Sequence, residues 1–160
     1  MNKDFLILSA IYLIFAVPLS LMDSKRFRIS LPLLVFGTVA ILLFRLGFSA
    51  GSNIAIAKNL LIASLSSFLI YFCTRVLSGE GLGWGDVFFG TFSSIYTGFY
   101  MNIIATVFAA LLGMLYYLFL TMIQKFKKKK FVHRPIFAIP FVPFITAGSV
   151  FSVILFYVIA

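Results

Sequence analysis

Five long apolar runs constrain this chain more than any motif does. They span residues 5–22, 31–48, about 60–77, 87–123 and 136–160. A helix needs about 20 mostly apolar residues to cross a bilayer, and in hydrocarbon the backbone must satisfy its own hydrogen bonds. The runs have that length. A water-soluble domain of 160 residues could not hide them. Apolar residues make up 62% of the chain and charged residues 11%, against roughly 45–50% and 25% in soluble domains. The 21 Phe and 7 Tyr point the same way, since a small domain leaves much of its surface in water. The expected fold is all-α: one polytopic membrane domain over residues 1–160, embedded in the lipid bilayer.

The run 87–123 is too long for one span and suits two short ones. The expected break is 97–102 (TGFYMN), where Gly98 and Asn102 favour a turn. That makes six spans, and the charges agree. With six spans, ten of the 13 basic residues fall on one side: Lys25, Arg26, Arg28, Arg75, Lys125, Lys127, Lys128, Lys129, Lys130 and Arg134. Only Lys3, Arg45 and Lys58 fall on the other, and Arg45 can snorkel from the end of its run. The richer side marks the cytoplasm. Five spans would place the KFKKKK segment outside, which the rule disfavours. The first run is expected to be retained, because only Lys3 precedes it and no small-x-small cleavage site lies before Asp23.

Several functions are excluded at once. The net charge of +9 is explained by topology, and no aromatic-and-basic motif supports nucleic-acid binding. Cys73 is the only cysteine and His133 the only histidine. That removes disulfide scaffolds and zinc clusters, so no metal and no cofactor is expected. In an apolar run, the Cys73 thiol is expected to be inert. His133 stands among basic residues as a solvated loop residue.

The chemistry must then come from four acids, Asp4, Asp23, Glu80 and Asp86. The same count of sides puts Asp23, Glu80 and Asp86 on the cytoplasmic face. Acids at or near a membrane are costly and are functional candidates by default. The plain reading of Asp23 is an ion pair with Lys25 or Arg26, and that of Asp86 is a helix cap on a tight turn. The string Gly79-Glu80-Gly81-Leu82-Gly83-Trp84-Gly85-Asp86 holds more glycine than a cap requires. It lets the backbone approach another segment closely. Two aspartates on one face are a set for aspartic proteolysis. One carboxylate takes a proton from water while the other, protonated, donates to the carbonyl oxygen. Two close carboxylates cannot both ionise cheaply, so they share a proton.

Three segments resemble the type IV prepilin peptidase family, membrane aspartic proteases of the GxGD kind. The first is Asp23-Ser24-Lys25-Arg26-Phe27-Arg28-Ile29. The second is Glu80-Gly81-Leu82-Gly83-Trp84-Gly85-Asp86-Val87. The third is Ile139-Pro140-Phe141-Val142-Pro143-Phe144. The resemblance implies an endopeptidase of the inner (cytoplasmic) membrane that removes a short basic leader from prepilin-like (pseudopilin) precursors at the cytoplasmic face. It implies Asp23 and Asp86 as the catalytic pair. Glu80, Gly83, Gly85, Lys25 and Arg26 are the accompanying candidates for substrate binding or positioning. The chain lacks the cysteine-bearing cytosolic insert of many bacterial members, which implies the short, protease-only form without methyltransferase activity. It departs from the family at Ser30, where Pro is common, and at Phe88, where Lys is usual. The rival reading is a non-catalytic channel, a transporter subunit or an assembly scaffold for a pilus or secretion system. Polar residues are scarce in the runs, with Asn59 and Gln124 only at their ends, which weakens a transport path.

Overall fold

The computed structural model describes residues 3–48, 53–79, 81–126 and 139–159. Among them it holds six helices and no strand: α1 (Lys3–Arg26), α2 (Leu31–Phe48), α3 (Asn53–Leu77), α4 (Trp84–Thr97), α5 (Phe99–Phe126) and α6 (Val142–Ile159). Three segments, Asp4–Arg26, Ile54–Leu77 and Phe99–Ile123, are long and apolar enough to cross a membrane. The shorter apolar segments Leu31–Gly47 and Val142–Tyr157 lie in α2 and α6. Large apolar side chains such as Ile14, Phe36, Leu43, Leu61 and Phe119 stand exposed on the outer faces, as a lipid-facing surface requires.

The short helix α4 is the hub. It touches all five other helices, and all but four of its residues are buried. Helix α4 is made of small and aromatic residues, WGDVFFGTFSSIYT. Small residues let neighbouring helices come close in a membrane protein, while rings fill the remaining space. Gly98 ends α4 with a positive φ of 77°, a conformation that glycine takes without penalty. Its N–H donates to the Ser94 carbonyl at 2.8 Å, and α5 begins at the next residue. The break expected over 97–102 therefore falls at Gly98.

Two boundaries differ from the sequence reading. Helix α3 begins at Asn53, a turn or two before residue 60, because Lys58 and Asn59 continue the helix instead of ending it. Helix α6 begins at Val142, not at residue 136: Ile139, Pro140 and Phe141 are not helical. Pro143 sits in the first helical turn, where its missing N–H is not needed. The KFKKKK stretch from Lys127 onward and His133 lie outside the described residues. Arg45 does not snorkel outward. It turns in and donates to the Tyr96 carbonyl at 2.5 Å, satisfying one of the free carbonyls that end α4.

Hydroxyl groups tie the hub to its neighbours and α1 to α6. Tyr12 of α1 and Ser93 of α4 share a hydrogen bond of 2.9 Å, and Ser93 also bonds Ser149 of α6. Ser9 meets the Tyr96 hydroxyl at 2.9 Å and Ser20 meets Thr146 at 2.8 Å. The Ser67 hydroxyl donates to the Gly90 carbonyl at 3.0 Å. Asn102 is buried in the first full turn of α5. The interior thus holds polar groups that the sequence reading passed over, whereas Asn59 is exposed. Among the described residues no buried side-chain polar atom lacks a partner. Helices α5 and α6 cross closely at Gly148, where a Cβ would collide with the Ala105 carbonyl oxygen.

Candidate active site

Asp23 lies in the last turn of α1, only 6% exposed. Its Oδ2 accepts a hydrogen bond of 3.1 Å from the Val142 N–H. Val142 is the first residue of α6, so this N–H is one that the helix itself leaves unpaired. The positive end of α6 therefore faces the carboxylate. Asp23 turns toward α6, while Lys25 and Arg26 lie exposed at the end of α1.

Asp86 occupies the third position of α4, just ahead of the apolar run. Its Oδ2 accepts the Gly83 N–H at 3.0 Å. Gly83 is the N-cap, and its carbonyl in turn accepts the Asp86 N–H at 3.1 Å. Glycine has no side chain, so this is the acidic half of a capping box. Asp86 is 9% exposed. Its carboxyl is pushed up to about 7, first by burial and next by the charge of Asp23, with the Gly83 N–H pulling the other way.

A cavity of about 330 Å3 joins the two acids. Asp23 and Asp86 both line it, with Phe27, Arg28, Ile29 and Gly83 to Gly85 around them. The approach depends on Gly85. A Cβ there would stand 2.8 Å from Ile29 Cδ1. The absence of that Cβ lets the link between α1 and α2 rest on the start of α4. Phe27 bends that link by taking a φ of 51° directly after α1, a left-handed turn that costs a non-glycine residue about 1–2 kcal/mol. On the far side, Arg75 of α3 donates to the Leu82 carbonyl and lies over the Trp84 ring, 5.0 Å from its centroid. The glycine string is thus held from two sides.

A larger, more open hollow of about 560 Å3 lies between α1, α5 and α6, lined by Val17, Leu21, Phe108 and Phe151 among others. It contains no acid, base or thiol, whereas both aspartates line the smaller cavity.

The sequence model of the type IV leader peptidase family matches residues 10–118. The chain belongs to that family. The matched stretch contains both aspartates and the whole glycine string, and stops inside α5. No curated protein and no solved structure matched the chain. Membership together with the three long apolar helices describes a leader-peptidase-like protease of a membrane.

Of the site residues expected from the sequence, four line one cavity: Asp23, Asp86, Gly83 and Gly85. Lys25 and Arg26 do not line it, and Glu80 lies outside the described residues. Three features of the site were not foreseen. One is the Val142 N–H on Asp23, whose signal was the Ile139-to-Phe144 segment. Another is the seat of Ile29 on Gly85, whose signal was the Ile that closes the first motif. The third is Arg28 on the cavity wall, where the chain offers only one more basic residue in a basic stretch.

Proposed function

We propose that this protein is an aspartic endopeptidase that removes the short basic leader of prepilin-like precursors. The supporting observation is that the aspartates of two separate motifs line one cavity and that Asp86 feels the charge of Asp23. Asp86 carries the shared proton in the active form, its carboxyl being pushed up to about 7. Asp23 is the ionised partner, held by the α6 N-terminus. Water lies between them and the scissile carbonyl. Asp23 removes a proton from the water as its oxygen bonds the carbonyl carbon. Asp86 gives its proton to the carbonyl oxygen, and a tetrahedral diol forms. As the C–N bond breaks, Asp23 returns its proton to the leaving nitrogen. The diol then loses a hydroxyl proton to Asp86, which restores the starting state.

The charge asymmetry supports six spans and an active site on the cytoplasmic side of the inner membrane. A basic leader would be drawn there by the acids and by the anionic leaflet. Lys25, Arg26 and Glu80 are the proposed positioning residues, Glu80 by its charge suited to a basic leader, and the whole chain acts as one peptidase domain without methyltransferase activity or cofactor. The test is co-expression with candidate prepilin-like proteins, scoring the mobility shift of each product. A shift with wild-type protein and none with Asp86→Asn supports the reading. Equal processing by both contradicts it.

A further inference from the structure

We propose that Arg28 receives the carboxylate that cleavage creates on the departing leader, and so sets how strongly the enzyme holds its own product. This deepens the peptidase reading of the same cavity and rests on it. The link between α1 and α2 places Arg28. On one side, Phe27 leaves α1 in a left-handed conformation, and on the other, Ile29 is seated against Gly85 at the start of α4. The residue between them is held from both sides. Lys25 and Arg26, still within α1, do not line the cavity, whereas Arg28 lines it together with Asp23 and Asp86.

The guanidinium shares this cavity with two carboxyls and is bonded to neither. Asp23 accepts the Val142 N–H and Asp86 accepts the Gly83 N–H, and among the described residues no ion pair joins either of them to Arg28. The cavity holds about 330 Å3, so an anion inside it stands near all three groups. Arg28 is exposed where the two aspartates are buried, which puts it toward the mouth, on the product's way out. The peptide bond is neutral before it is cut, but the product is not. Hydrolysis breaks the C–N bond, puts the water oxygen on the acyl carbon and gives a proton to the leaving nitrogen. The leader then ends in a carboxylic acid, which loses its proton to water at neutral pH. The new carboxylate stands beside ionised Asp23, which repels it. Arg28 is the one cation on this lining, and a guanidinium can bind a carboxylate through two parallel hydrogen bonds.

Trp84 lines the same cavity and is the only tryptophan of the protein, so its fluorescence reads binding there. The experiment uses the full chain in detergent and the tripeptide Lys-Lys-Gly, as the free acid and as the C-terminal amide. Glycine adds no side chain at the terminus, so only the acid and amide groups differ. In the wild type the acid is expected to bind on the order of tenfold more tightly than the amide, although the amide carries one more positive charge for the aspartates to attract. Arg28→Gln should reverse that order, and Arg28→Lys should keep part of the preference. A general disturbance of the fold would weaken both peptides and leave their ratio alone. Equal binding of acid and amide by the wild type overturns the proposal, as does an unchanged ratio in Arg28→Gln. Loss of the acid preference when phosphatidylglycerol is added assigns Arg28 to a lipid phosphate and overturns it too. Cleavage of a prepilin-like precursor is scored alongside. An acid preference without cleavage leaves the carboxylate site standing and removes the peptidase reading. Cleavage without the preference does the reverse, and silence in both readouts overturns both.

Discussion

At Gly85 one missing methyl group decides how near two loops can come. A β-branched side chain there would drive into Ile29, whose Cδ1 stands 2.8 Å from the Cβ position. Gly85→Val should cut cleavage strongly, and adding Ile29→Ala should restore part of it, because the second change removes the group struck by the first. Equal loss in the single and double variants, read by cleavage rate, would show that Gly85 acts otherwise. Asp86 gives a second prediction, in pH. Its folded pKa of about 7 lies above the ordinary carboxyl value. Its neutral form therefore favours folding at acid pH, and that benefit is lost as pH rises through about 7. Asp86→Asn should be more stable than wild type above pH 7, by up to a few kcal/mol, with the gap closing toward pH 4. Thermal unfolding across that range checks it. Activity should fall above about pH 7 as the proton leaves the pair, and fall again in acid as Asp23 is protonated. A rate that climbs steadily to pH 9 would contradict this assignment of the proton. The two aspartates and the glycines were legible in the sequence because costly acids and repeated glycines stand out against an apolar background. The partners of Asp23 were not, since a backbone N–H from a helix 119 positions away carries no residue signature.

Each helix can be traced to an apolar run, but the role of α4 cannot. A run of only 14 residues looks like the weakest span, yet α4 is the most enclosed element. Its Ser93 binds α1 through Tyr12 and α6 through Ser149, and these helices carry Asp23 and its Val142 partner. Ser93→Ala should lower stability by about 1–2 kcal/mol, the scale of interhelical hydrogen bonds in membranes, measured as a reduced Tm in detergent. An unchanged Tm would mean that the hydroxyls tie nothing together. The serines were passed over in the sequence because a Ser in an apolar run can satisfy itself on its own helix, as Thr91 does on the Val87 carbonyl. Which hydroxyls reach across is decided by packing. The start of α3 was misplaced for a related reason: Lys58 looks like the end of a span, but a long cationic side chain can remain helical and send its charge outward.

At the scale of the molecule, helix termini are the working parts. The end of α1 and the starts of α4 and α6 meet around one cavity, while Arg45 closes the end of α4 near the opposite limit of the bundle. The sidedness proposed from charge has its own check. In a Cys73→Ser background, Ser52→Cys should react with an impermeant thiol reagent from outside intact cells and Lys128→Cys should not. Labelling of Lys128→Cys from outside would refute the six-span arrangement. The central claim is that Asp23 and Asp86 act as one unit. Its most direct measurement is the cleavage rate of a confirmed prepilin-like substrate by wild type, Asp23→Asn, Asp86→Asn and the double variant, all at equal abundance in the membrane. The account predicts that each single change abolishes cleavage and that the double variant is hardly worse, because groups that act together are not additive. Near wild-type cleavage by either Asn variant would contradict it.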